Sequence, residues 1–231
     1  VAEKELREPP HYFGHRQRLR ERFLLRGGSA LSDYEVIELL LFGARPRGDV
    51  KPLAKDLLRR FGSLSALLSA PAEDLARLPG LGEASVVALK IVQEAALRLA
   101  REEIRQRPVL SSWNKVLNYA RIMLAEEKVE RFHLLFLDRK NRLISDEEQQ
   151  RGTVDHTPVY PREVIKRALD LGASSIILIH NHPSGDPTPS KQDIAITREI
   201  VEAAGKLGIE VHDHLIIGKG GHTSLKSLGL F

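Results

Sequence analysis

The chain has 231 residues, 42% of them hydrophobic and 29% charged, the balance of an ordinary folded protein with room for one large domain or two small ones. It has no cysteine, which excludes disulfides, thiol nucleophiles and cysteine-ligated metal sites, including the zinc centre of nucleobase deaminases. No apolar run reaches the roughly 18 residues of a membrane span. The first residues, Val1-Ala2-Glu3-Lys4-Glu5, are charged and lack a signal-peptide core. The expectation is a cytoplasmic protein with no membrane partner.

The net charge of +4 is uneven: residues 1–107 carry 19 Lys+Arg against 15 Asp+Glu, whereas 108–231 carry 16 of each. An anionic partner would therefore meet the first half. Arg16, Arg18, Arg20, Arg22 and Arg26 crowd the segment from Gly14 to Gly27, interleaved with Leu19, Phe23 and Leu24. The spacing predicts an amphipathic helix whose basic face is either solvated or set against nucleic-acid phosphates through residues such as Arg16 and Arg20. Ser32-Asp33-Tyr34-Glu35 is a capping box for a second helix through Leu41, and Pro52 to Phe61 reads as a third, ended by Gly62. Ser69-Ala70-Pro71 offers an N-cap and a first-turn proline for a short helix with Leu75 and Leu78. Leu78-Pro79-Gly80-Leu81-Gly82 then leads into a long helix from Glu83 to about Arg105. This stretch, about 69–95, resembles a helix-hairpin-helix, in which glycines let the backbone approach DNA and helix N-terminal amides meet phosphate oxygens. Gly80, Leu81 and Gly82 would make that contact; a hairpin that only packs is the other reading.

Residues 101–108 are polar and end in proline, which places a domain boundary after Arg107. Beyond it, Ser112 to Ala125 reads as a helix with Trp113 in the core. Glu130 to Asp138 reads as a strand, turned by Arg139-Lys140-Asn141 into a second at Arg142–Ser145, with a third at Gln150–Val154. Pro161 to Leu171 is a helix. Ile176-Ile177-Leu178-Ile179 is a buried strand, Ser190 to Lys206 a helix, and Ile209–Ile217 a strand that turns at Gly218-Lys219-Gly220-Gly221 into a last short one. The fold expected is an N-terminal all-α domain, 1–107, followed by a C-terminal α/β domain, 108–231, with a mixed sheet and helices.

The chemistry gathers where the buried strand ends. His180 and His182 lie two apart, so a strand points both imidazoles to one face. Three prolines and a glycine then stiffen a loop that leads back to Ser190 and Asp193. Two neutral imidazoles and one carboxylate suit a zinc ion, with one position left for water. Taken singly, the same residues also suit a helix cap and two hydrogen-bonded structural histidines. His212-Asp213-His214 has similar spacing, but no stiff loop returns a third ligand to it, and it reads as structural, with a place behind the ligands as the other reading. The letters His180-Asn181-His182 do not make an HNH nuclease, whose residues are dispersed. Ser184 and Gly185 stand where a metallo-β-lactamase-type nuclease would have Asp and His.

Together, His180-x-His182-Pro183-x6-Ser190-x-x-Asp193 is similar to the signature of the JAMM (MPN-domain) metalloproteins. With His180-Asn181-His182-Pro183-Ser184-Gly185-Asp186-Pro187, Pro161-Arg162-Glu163 and Asp213-His214-Leu215-Ile216, the chain resembles the RadC family over roughly residues 11–231. The resemblance implies a helix-hairpin-helix region ahead of a JAMM/MPN-like, cytidine-deaminase-like sandwich. It implies one Zn2+ per chain held by His180, His182 and Asp193. Glu130 would be the general base, with Glu163 as the competing candidate, and Ser190 would stabilise the oxyanion. It further implies a zinc metallohydrolase, peptidase-like on peptide or isopeptide bonds and associated with DNA repair. A metal-dependent nuclease and a non-catalytic DNA-associated scaffold are the alternatives.

Overall fold

Capping and apolar spacing set the first helices. The computed structural model describes residues 14–106, 108–151 and 159–231. The charged N-terminus, Arg107, and the far end of the expected third strand at 152–154 lie outside them. The chain divides between Glu94 and Ala95 into two compact units, whereas the composition shift falls after Arg107.

The first unit holds α1 (His15–Arg26), α2 (Asp33–Ala44), α3 (Lys51–Phe61), α4 (Leu64–Ser69), α5 (Ala72–Ala76) and the start of α6 (Glu83–Arg105). The capping box is present: Ser32 N donates to Glu35 Oε2 at 2.9 Å. Glu35 also pairs with Arg22, and the fully buried Glu38 meets His15 Nε2 at 3.2 Å, so two carboxylates fasten α2 to α1. Leu19, Ile37, Leu41, Leu57, Leu67, Leu75 and Leu89 form the core, each such side chain contributing roughly 1.5–3 kcal/mol by burial. The N-cap expected at Ser69 is not there. Ser69 ends α4, whose own cap is Ser63, with Ser63 Oγ accepting from Ala66 N at 3.0 Å. Pro71 precedes α5 instead, and it has no N–H to leave unsatisfied at a helix start.

The second unit begins within α6 and continues through α7 (Trp113–Leu124), β1 (Arg131–Leu137), β2 (Leu143–Arg151), α8 (Pro161–Asp170), β3 (Ser175–Asn181), α9 (Lys191–Gly205), β4 (Glu210–Gly218) and β5 (Gly221–Ser224). The sheet runs β2-β1-β3-β4-β5, with β3 and β4 parallel and the other pairs antiparallel. On one face Ala100 and Ile104 of α6, with Val116 and Leu124 of α7, cover Leu135, Ile177, Ile179 and Leu215. On the other, Val164 and Ala168 of α8 and Ile200 of α9 cover Phe132, Leu134, Ile176 and Leu178. β3 is thus buried on both faces, as its unbroken aliphatic run requires.

The expected strand at 142–145 and the described start of the one expected at 150–154 belong to one strand, Leu143–Arg151. Its acidic middle looks like loop, yet each carboxylate has a cationic or hydroxyl partner. Asp146 pairs with Tyr119 and Arg101, Glu147 with Arg167 at 2.6 Å, and Glu148 with Arg131 at 3.6 Å.

Candidate metal centre

β3 delivers His180 in the register that pairs it with Phe132 of β1, and the two rings stack at 5.9 Å. One residue past the strand, His182 N still bonds Ile217 O at 3.0 Å, which keeps the second imidazole on the line of the first. The loop then turns back. Gly185 takes φ +88°, a conformation side chains rarely adopt, and the Asp186 carbonyl receives His182 Nδ1–H at 2.8 Å. That bond turns His182 Nε2 toward the site. Asp186 Oδ1 binds both the amide and the hydroxyl of Thr188, stiffening the loop further. The loop rests on bare backbone at Gly218, where an added Cβ would lie 2.3 Å from Gly185 O.

The loop ends at Ser190, the N-cap of α9. Ser190 Oγ accepts from Asp193 N at 3.1 Å, and Asp193 Oδ2 accepts from Ser190 N at 2.7 Å. This reciprocal cap holds the carboxylate in place beside the two imidazoles. His180 Nε2 lies 3.0 Å from His182 Nε2 and 3.3 Å from Asp193 Oδ1, and His182 Nε2 lies 3.4 Å from Asp193 Oδ2. Ligand atoms bonded to a tetrahedral zinc ion at roughly 2.1 Å sit roughly 3.4 Å apart. The donor set and its spacing fit zinc, and among the described residues these three are the group able to hold a metal ion.

The electrostatics agree. Burial pushes the Asp193 carboxyl up, but hydrogen bonds from His180 and His182 outweigh it and hold the group far below the usual carboxylate range. His182 is raised, first by its bond to Asp193 and against burial, with help from the Asp186 carbonyl and the charges of Asp193 and Glu130. A site that draws the His182 imidazole toward positive charge is one that a cation can occupy in place of a proton.

Glu130 directly precedes β1, half-buried, and its charge acts on His182. Its segment is clamped from β3. Asn181, buried between the two histidines, accepts from Arg131 N at 2.9 Å and donates to Val129 O at 3.1 Å and Glu127 O at 3.3 Å. Sequence reasoning gave Asn181 no role; its signal was a polar residue at the end of a fully buried strand. Glu163 is exposed in the first turn of α8 and pairs with Arg162 at 3.0 Å.

Residues 110–230 match the RadC-like JAB domain, and residues 12–87 match the UPF0758 N-terminal region. The chain belongs to the RadC family. A JAB domain is of the JAMM/MPN type, so the His-His-Asp group of this RadC-family chain is the plausible zinc site of a metallohydrolase fold.

The RadC sheet also decides between the two readings of the His212-Asp213-His214 stretch. A register shift makes His212 an extra residue in β4, so that Val211 pairs with Ile176 but Asp213 with Ile177. Past this bulge His214 falls on the His180 face, fully buried, with its Nε2 2.7 Å from His180 Nδ1. Burial, together with the neighbouring His180, holds its pKa well below the ordinary histidine value. His212 instead meets Asn141 Oδ1 at 2.7 Å.

In the first unit, the residues expected to face DNA are distributed as follows. Gly80 and Gly82 are exposed between α5 and α6, with Gly80 at φ +85°, while Leu81 is buried in the core. Arg20 is exposed on α1. Arg16 bonds Gly48 O at 2.7 Å and lies over the Phe42 ring at 4.6 Å. The loop between α2 and α3 joins the two places, because Arg45 Nη1 bonds Gly80 O at 2.8 Å.

Proposed function

We propose that this RadC-family chain is a zinc-dependent hydrolase of peptide or isopeptide bonds, with the ion on His180, His182 and Asp193. When bound, zinc supplies a Lewis acid that polarises the scissile carbonyl and brings the pKa of a water to about 7. Glu130 takes the proton of the attacking water and passes it to the leaving amine. Ser190 caps α9 through its oxygen lone pair, so its hydroxyl proton serves as donor to the oxyanion. The single observation that carries this reading is the trio of ligand atoms 3.0 to 3.4 Å apart. The clamp of Asn181 on the Glu130 segment supports Glu130 over the exposed, ion-paired Glu163 as the base.

We read the second unit as a JAMM/MPN-like, cytidine-deaminase-like sandwich and α5–α6 as a helix-hairpin-helix that brings the hydrolase to DNA. Gly80 at positive φ and the Arg45 bond to its carbonyl support a tight hairpin flanked by cationic side chains. Such a contact is sequence-blind.

A screen of isopeptide-linked conjugates alongside branched and single-stranded DNA tests the reading. Zinc-loaded protein should cleave conjugates, and Glu130→Gln should lose roughly 100- to 10,000-fold in rate with its zinc content unchanged. Cleavage of DNA in place of conjugates would shift the reading to a nuclease. Zinc uptake with cleavage of neither would shift it to a scaffold.

A further inference from the structure

His214 and Thr197 contribute no atom to the ligand trio, yet they link one ligand to another. His180 Nδ1 lies 2.7 Å from His214 Nε2, His214 Nδ1 lies 2.6 Å from Thr197 Oγ1, and Thr197 Oγ1 bonds the Asp193 carbonyl one helical turn back. All of it is buried: His214 and Thr197 are 0% exposed and His180 is 1% exposed. Phe132 seals the pair of rings, stacked on His180 and edge-on to His214 at 5.5 Å. These side chains are shielded from bulk solvent, and each N–H along them finds its acceptor within the chain of bonds.

That chain has two self-consistent directions. In one, Thr197 Oγ–H donates to the Asp193 carbonyl, His214 Nδ1–H donates to Thr197 Oγ1, and His180 Nδ1–H donates to His214 Nε2. The Nε2 of His180 then carries a lone pair toward His182 and Asp193. In the other, Thr197 donates to His214 Nδ1, His214 Nε2–H donates to His180 Nδ1, and the proton of a neutral His180 sits on Nε2, where it blocks a metal ion. The Asp193 carbonyl decides between them, because it accepts the Thr197 proton and so commits the hydroxyl oxygen to accepting from His214.

We propose that His214 and Thr197 are positioning residues that fix the tautomer of His180, keeping its Nε2 ready for metal, and that this pair sets metal affinity. The proposal rests on the reading of His180 as a ligand. Orienting partners of metal-ligating histidines are typically worth 10- to 100-fold in affinity. Here the partner is a second imidazole in place of the usual carboxylate or carbonyl, so it can orient the ligand without adding charge to the site. The bulge at His212 is what makes this placement available.

The test combines zinc affinity with 15N NMR of the imidazoles in the full chain. In the zinc-loaded wild type, His214 should be neutral, with its proton on Nδ1 and an acceptor lone pair on Nε2. Thr197→Val should weaken zinc binding roughly 10- to 100-fold, and Thr197→Ser, which restores the hydroxyl, should recover it. A role confined to packing would treat the nearly isosteric valine as the better replacement. A wild-type chain that takes up no zinc overturns the ligand reading and this proposal with it. A wild type that takes up zinc with His214 protonated on Nε2, or a valine variant with unchanged affinity, overturns this proposal alone. The NMR measurement needs no variant, so it decides even where a substitution at these buried positions fails to fold.

Discussion

Asn181 stands between two histidines whose letters invite attention, and its own work is easily missed. Its amide makes three hydrogen bonds to the backbone of 127–131, so Asn181→Ala removes the clamp on Glu130 without touching a ligand atom. Zinc content should stay at wild type while the hydrolytic rate falls, and the unsatisfied backbone groups should cost roughly 1–3 kcal/mol of stability. A full rate in a stably folded Asn181→Ala would show that the Glu130 segment needs no clamp. Ser190 separates in a similar way. Ser190→Ala loses the helix cap, about 1 kcal/mol, whereas Ser190→Gly loses only a few tenths. Both lose the hydroxyl, so both should fall roughly 100- to 1,000-fold in rate. Denaturant melts beside rate measurements separate the two jobs, and a fully active glycine variant would leave Ser190 only its cap. The meeting of His180, His182 and Asp193 was legible in the sequence because a period of two and a stiff loop are local rules. Which histidine of His212-Asp213-His214 stands behind the site was not, because the bulge that turns His214 toward His180 is a property of the pairing between β3 and β4. No periodicity within β4 reports it.

Among the elements, the loop from Pro183 to Pro189 has the most to do with few contacts. Its seat is the bare backbone of Gly218, where any Cβ would meet Gly185 O at 2.3 Å and Pro187 Cδ at 2.9 Å. Gly218→Ala should therefore displace the loop, costing roughly 1–3 kcal/mol and lowering zinc affinity from a position that contacts no ligand. Gly220→Ala, with nothing within 4 Å of its added Cβ, is the matched control. Equal zinc affinity in the two variants would remove the loop from the account of the site. The prolines of this loop announced it in the sequence; the glycine that receives it lies some thirty residues on, where the sequence marks only a hairpin turn. α4 and β2 were misread for the opposite reason, that local composition spoke too loudly. A serine and a proline near residue 70 looked like one cap. The acids of β2 looked like loop until Tyr119, Arg101, Arg131 and Arg167 were brought to them by the fold.

At the scale of the molecule, Ala100 and Ile104 belong to the core beneath the sheet although they ride on a helix that starts in the first unit. Ile104 is 0% exposed. A fragment beginning at residue 95 should thus be more stable than one beginning at 108 by roughly 2–5 kcal/mol, the range for emptying a buried aliphatic site. Comparable unfolding midpoints for the two fragments would contradict that assignment. The same pair of fragments tests the proposed DNA contact: if the full chain binds DNA, neither fragment should keep that affinity, because the excess positive charge lies before residue 108.

All of this turns on whether the two imidazoles and the carboxylate hold zinc. Metal analysis of the purified chain, set beside His180→Ala and Asp193→Ala, is the most direct measurement. About one zinc per wild-type chain is expected, as one three-ligand site accommodates, with a sharp fall in both variants. Wild-type protein without zinc after loading, or variants that retain the wild-type amount, would contradict it.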